Sequence, residues 1–239
     1  MSPSPTEQLP TALLPTALLI VPASNTTVEP ELAALLPGYP RQLIARVPNS
    51  GKPLTAEDIP DYADRTVEAV APYLRDRPAV AAHCCTAAGF LAGPEGNRLI
   101  VERLRERTGV PVVSTADAMV EALRHCGARR VAIVTPYLKA VNDGLRRYLE
   151  AGGISVETLD SFECATVAEL CRVTEDQVME RALATVEAGH DALFIACSQL
   201  PTLDILQPLR ERLGIPVWSS ISATAWSIAQ LSRAEAVAA

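Results

Sequence analysis

Residues 192–204 read ALFIACSQLPTLD. An unbroken apolar run leads into Cys197, and Ser198, Gln199, Pro201 and Thr202 end it with polar and turn-forming side chains. A short apolar run without alternation suits a strand covered on both faces, as in parallel sheets. Such a strand delivers Cys197 to its C-terminal edge, where open α/β sheets bind their ligands. Residues 78–93, PAVAAHCCTAAGFLAG, repeat the arrangement: an apolar run ends at Cys84 and Cys85, followed by Thr86 and a glycine-bearing loop.

The likeness continues downstream. Residues 104–118 read LRERTGVPVVSTADA and residues 209–223 read LRERLGIPVWSSISA. At an offset of 105 the Leu, Arg, Glu, Arg, Gly, Pro, Val, Ser and final Ala coincide. Helix end, glycine cap, short strand and Ser/Thr helix start recur in one order, which predicts an internal duplication. Two equivalent strand ends related by a pseudo-two-fold axis face each other. A thiol is therefore expected on either side of one cleft.

The 239 residues are 49% hydrophobic, enough for one large or two small domains. A net charge of −7 and only 4% aromatic residues argue against a nucleic-acid surface. The apolar stretch 13–23, LLPTALLIVPA, contains two prolines, and no Lys or Arg precedes Arg41. No secretory signal is expected there, so residues 1–12 are read as a loose tail and 17–21 as the first core strand. No apolar stretch reaches transmembrane length, so no membrane contact is expected. Six cysteines without a C-x-x-C pair suggest free thiols in a reducing cytoplasm. His83, Cys84 and Cys85 alternate faces on a strand and cannot chelate together, so no metal is expected. No glycine-rich phosphate loop occurs, and no nucleotide cofactor is expected.

Strands are predicted at 17–21, 42–47, 79–83, 110–113, 130–135, 154–159, 192–196 and 215–217. Helices are predicted at 28–36, 56–73, 96–108, 117–126, 138–150 and 174–188, then from about 202 and from 222. This alternation means an α/β fold of two pseudo-symmetric lobes, each a mostly parallel sheet covered by helices. Residues 1–115 with 220–239 form one expected lobe and 116–219 the other. Apolar helices such as 222–238 leave room for a homodimer or higher homo-oligomer.

The candidate site follows from the repeat. Cys85 and Cys197 each sit where a strand gives way to a loop and helix, whose N–H groups favour a thiolate and an anion. Cys84 competes with Cys85, but only one can face the cleft. Cys85 is preferred because Thr86 follows it as Ser198 follows Cys197. The plainer reading makes both small buried hydrophobes, as free cysteines often are. Cys126, Cys164 and Cys171 are read as structural. Asn25 follows the first strand and Tyr137 its counterpart in the second half. Either can offer a neutral hydrogen bond to a carboxylate, or be a turn Asn and a half-buried Tyr. Ser198 and Gln199, next to Cys197, complete the candidate binding residues.

Four pieces, VPASNTTVE, CTAAGFLAGP, VTPY with Asn142 following, and ACSQLPTLD, together resemble the aspartate/glutamate racemase superfamily. Within it the sequence is similar to the branch of maleate cis–trans isomerases and arylmalonate decarboxylases, over nearly the whole chain. The resemblance implies two pseudo-symmetric lobes, no cofactor, and a site between the lobes for a small carboxylate. It implies Cys85 as nucleophile and Cys197 as proton donor. It places Asn25 and Tyr137 on a substrate carboxylate, with Thr86 and Ala87 cradling it. The decarboxylases carry only the second cysteine, so Cys85 points to an isomerase or racemase. In one departure Val167 stands where the maleate isomerases place an asparagine, which favours an apolar group in place of a second carboxylate. The expected function is cofactor-independent isomerisation of a small unsaturated dicarboxylate. The alternatives are a racemase, an arylmalonate-type decarboxylase, or a protein that holds a carboxylate without chemistry.

Overall fold

Ala17 to Val21 and Val131 to Val134 are wholly shielded from solvent, and each run lies in one of the two inner strands of its own sheet. In this computed structural model residues 15–49 and 54–238 are described; the tail expected at 1–12 lies outside them. The first sheet contains β1 (Thr16–Pro22), β2 (Arg41–Val47), β3 (Val80–His83) and β4 (Val112–Ser114). The second contains β5 (Arg130–Thr135), β6 (Ser155–Ser161), β7 (Ala192–Ile195) and β8 (Val217–Ser219). Their orders, β2-β1-β3-β4 and β6-β5-β7-β8, are the same, and every pairing is parallel.

The helices are α1 (Val28–Leu35), α2 (Ile59–Val70), α3 (Thr86–Phe90), α4 (Gly93–Thr108), α5 (Thr115–His125), α6 (Lys139–Ala151), α7 (Val167–Leu170), α8 (Glu175–Thr185), α9 (Leu206–Leu213) and α10 (Ser220–Ala238). Most match the predicted spans. The one-turn helices α3 and α7 fall in segments expected to be loops. Strands expected at 110–113 and 215–217 begin two residues later, after Pro111 and Pro216. Proline has no N–H for the ladder; each instead accepts through its carbonyl, from Ala81 N–H at 2.9 Å and Leu193 N–H at 3.0 Å.

Strand alternation sorts the core into three layers. Leu19, Val21, Ala82, Ile133 and Phe194 face a layer shared by both lobes, with α1, α5 and α10. Leu18, Ile20 and Ala81 face the other way, against α2 and α4. Ala132, Val134, Leu193 and Ile195 pack against α8 and α9. Helix α10 packs on α5 and α1 and touches β3, β4 and β8, so it lies between the two sheets. No helix among the described residues is long and apolar enough to cross a membrane.

Hydrogen bonds at the strand ends settle which cysteines correspond. Cys84 N–H donates to Ile20 at 2.8 Å and Ala196 N–H to Val134 at 2.8 Å. Cys84 is therefore the counterpart of Ala196, and Cys85 that of Cys197. The thiols are 112 residues apart although the downstream segments repeat at 105. The first lobe absorbs the difference in the sixteen-residue α4, where the second has the eight-residue α9.

Candidate active site

In each sheet the chain leaves the first strand on one side and returns on the other, so a crevice opens at the C-terminal ends of β1 and β3, and of β5 and β7. The lobes bring these crevices together. Between them lies a cleft of about 550 Å³. One lobe lines it with Pro22, Ser24, Val47, Tyr62, Arg65 and Cys85, among others; the second contributes Pro136, Tyr137, Thr166, Val167 and Leu170. Most of these groups are apolar, and Arg65 is the one cation among the described residues lining it.

Cys85 caps the start of α3 with extended backbone, φ −107° and ψ 99°. Its sulfur lies near the N–H groups of Ala87 and Ala88 and the Tyr62 hydroxyl, without a capping hydrogen bond to the helix. Burial pushes its pKa up, and these three donors pull against it. Cys84 belongs to the shared core, 1% exposed, with its thiol turned back toward the Ala82 carbonyl at 3.4 Å. Burial drives its pKa to about 12 and leaves it inert.

Cys197 is 8% exposed. It is not part of the cleft lining and meets it through Tyr137, whose hydroxyl reaches both its thiol and Thr86. Its φ of 138° lies where a side chain is strained, the kind of backbone that persists when surroundings over-determine it. They do here: Cys197 N–H donates to Ser220 Oγ at 3.0 Å, and Gln199 N–H points at its sulfur at 3.5 Å. Burial first, and the nearby Cys85 charge after it, push the Cys197 pKa to about 11, against the lowering effect of Gln199 N–H and Tyr137. At neutral pH it is a protonated thiol, and once deprotonated a strong base.

The remaining expected residues divide. Tyr137 lines the cleft, held edge-on to Phe90 with ring centroids 5.8 Å apart. Val167 stands at its mouth, 50% exposed, at the start of α7. Thr86 is buried and donates to Ser220 Oγ at 3.0 Å, so Ser220 ties Thr86 to the Cys197 N–H. Ala87 contributes its N–H to Cys85. Asn25, Ser198 and Gln199 are spent on the seam between lobes. Asn25 Nδ2 donates to the Ser198 carbonyl at 3.1 Å, and its Oδ1 accepts from Thr27 and Val28 N–H groups at 3.0 Å. Ser198 Oγ donates to the Cys84 carbonyl at 2.6 Å. Gln199 accepts from Thr26 N–H at 3.0 Å and donates to Thr26 Oγ1 at 3.0 Å.

Three site residues escape a reading of the sequence: Tyr62, Arg65 and Ser220. Tyr62 and Arg65 lie one turn apart on α2, with the guanidinium 5.6 Å from the ring centroid and donating to the Pro48 carbonyl at 2.7 Å. Their spacing marks a common helix face, but nothing local says that the face borders a cleft. Ser220 was within reach, since the repeat aligns it with Thr115.

The arylmalonate decarboxylase family model matches residues 18–239. A maleate isomerase of Nocardia farcinica is 31% identical over 218 residues, 88% of this chain and 87% of that protein. An arylmalonate decarboxylase of Bordetella bronchiseptica is 28% identical, covering 89% and 85%. Among solved structures, a Cys-to-Ser mutant of the Nocardia farcinica maleate cis-trans isomerase with a covalently bound succinylcysteine intermediate superposes with a TM-score of 0.78, at 30% identity over 90% of this chain and 91% of that one.

Proposed function

The chain belongs to the arylmalonate decarboxylase family, and from that membership and the cleft we propose that it is a cofactor-independent isomerase of a small unsaturated dicarboxylate of the maleate type. The observation that carries this reading is the pair of equivalent strand-end cysteines, Cys85 and Cys197, meeting between the lobes around the Tyr137 hydroxyl. The arylmalonate decarboxylases, by resemblance, lack the first of these thiols.

The chemistry follows from the two environments. The Cys85 thiolate attacks one alkene carbon, and the π electrons move onto the adjacent carboxylate as an enediolate. Tyr137 and the N–H groups that open α3 are neutral donors for that charge. The Cys197 thiol gives its proton to the neighbouring carbon, so a succinyl-type thioether stands on Cys85 and the former double bond is free to rotate. The Cys197 thiolate, a strong base in its buried setting, then recovers the proton. The electrons re-form the alkene in the trans geometry and expel the Cys85 thiolate. Each thiol ends as it began.

Arg65 and Val167 set the far end of the substrate. Arg65 suits a second carboxylate, whereas Val167 and Leu170 suit an apolar substituent. The apolar lining also supports a second reading, decarboxylation of a substituted malonate with Cys197 as proton donor. The deciding experiment incubates the enzyme with maleate and follows fumarate by proton NMR. It then asks whether the Cys197→Ser variant traps an adduct of substrate mass on the Cys85 peptide. Turnover by wild type with an adduct in the variant is expected. Unchanged turnover in Cys85→Ala, or malonate decarboxylation without isomerisation, overturns the assignment. The proposed setting is the cytoplasm, as a homodimer or higher homo-oligomer, which light scattering tests.

A further inference from the structure

His83 is the last residue of β3 and is completely buried. Alternation along the strand turns it toward α2, where its ring meets Tyr62 edge-on at a centroid distance of 5.8 Å. Its Nε2 lies 3.2 Å from the Tyr62 hydroxyl. Its Nδ1 is buried with no hydrogen-bond partner among the described residues. One of the two nitrogens carries the proton, and the surroundings decide which. A buried N–H without an acceptor is rare and costly, while a bare acceptor is tolerated more often. The proton therefore belongs on Nε2, with Nδ1 the bare acceptor.

This choice sets the direction of the next hydrogen bond. If Nε2–H donates to the Tyr62 oxygen, the tyrosine's own proton is free to point elsewhere, and the Cys85 sulfur is within its reach. In the opposite tautomer Tyr62 would give its proton to Nε2 and could only accept from Cys85, holding that residue as a thiol. We propose that His83 is a positioning residue for Cys85: His83 Nε2–H donates to Tyr62, Tyr62 O–H donates to the Cys85 sulfur, and this neutral relay favours the thiolate. This rests on the reading of Cys85 as the nucleophile.

Burial keeps the imidazole neutral, with a pKa lowered to about 4, so the donor chain persists across the neutral range. The other groups facing Cys85 are known. They are Arg65 on α2, which lines the same cleft, Cys84 on its own strand end, Tyr137 after β5, and Cys197 after β7. None of them touches the His83 nitrogens.

The test is the pH profile of Cys85 alkylation by iodoacetamide, resolved by peptide mass spectrometry, with the exposed Cys171 as internal reference. Tyr62→Phe and His83→Leu are expected to raise the Cys85 midpoint by about one unit, an approximately tenfold slower reaction below it. His83→Gln keeps a donor nitrogen near the Nε2 position and is expected to restore the wild-type profile. Circular dichroism checks folding. Should His83→Leu fail to fold, Tyr62→Phe and His83→Gln decide alone. An unchanged or lowered midpoint in Tyr62→Phe overturns the proposal, as does a His83→Gln profile that follows the leucine variant. Because the readout is thiol reactivity, it separates from the isomerase reading. A shifted midpoint in a protein that does not turn over maleate sinks the function and leaves the donor chain standing.

Discussion

Replacing Glu31 with alanine is expected to loosen the join between the lobes. Glu31 projects from α1, is 4% exposed, and accepts three hydrogen bonds from the segment that follows Cys197. These come from Thr202 N–H at 2.6 Å, Thr202 Oγ1 at 2.9 Å and Leu203 N–H at 3.2 Å. Thr202 is fully buried, so its N–H would be left without an acceptor, at a cost of roughly 1–3 kcal/mol. Leu203 is half-buried and can recruit water. Relief from burying a carboxylate offsets part of the loss, leaving a net destabilisation of about 2 kcal/mol. In a chain of this size that lowers Tm by roughly 4–8 °C. Glu31→Gln keeps Oε1 for both N–H groups and is expected to cost under about 1 kcal/mol. The pair also carries a pH signature. Burial raises the Glu31 pKa above its ordinary 4.5 in spite of its three donors. The native state thus binds this proton more tightly than the unfolded chain. The stability it contributes is complete below pH 4.5 and is lost as pH rises through the native pKa. The glutamine variant lacks that decline. Urea unfolding of the three proteins from pH 4 to 8 measures all of this. An alanine variant within about 1 kcal/mol of wild type, or a glutamine variant as unstable as alanine, refutes the argument.

Three further outcomes are expected. A Cys197 pKa of about 11 against an ordinary 9.0 means about 100-fold less thiolate at neutral pH. Its alkylation rate should therefore climb tenfold per pH unit through pH 10, and a plateau below pH 9 contradicts the burial argument. Gly89→Ala places a Cβ 2.6 Å from that of Ala116, forcing α3 off α5 and its N–H groups away from Cys85. A loss of about 1–3 kcal/mol in urea and a fall in kcat are expected, while Gly38→Ala, with open space around it, serves as the neutral control. Arg65→Gln should raise KM for a dicarboxylate about tenfold with a smaller change in kcat, since the lost charged hydrogen bond belongs to binding; equal KM values exclude Arg65 from the substrate's far end.

The strand alternation, the duplication and the pair Cys85 and Cys197 were legible in the residues alone. Buried strands announce themselves by local composition, and a repeated segment carries its own register. The choice of Cys85 over Cys84 rested on the neighbour that follows each thiol, and the ladder reached the same pairing through the Ile20 and Val134 carbonyls. Asn25, Ser198 and Gln199 looked like groups waiting for a ligand. In the folded chain each finds its partner across the seam, 172 or 173 residues away, and no local pattern reports such a partner.

What the sequence determined by itself was everything that depends on neighbours along the chain: where strands and helices alternate, that two halves share a plan, and that each half ends a buried strand on a thiol. Only the tertiary structure decided what each group faces. It put Tyr62 and Arg65 beside Cys85, left the His83 Nδ1 without a partner among the described residues, and set Cys197 at a strained φ of 138° behind a pKa near 11. Reactivity is a property of surroundings. Burial and hydrogen-bond donors act through space over a few ångströms, and the fold alone brings distant residues that close.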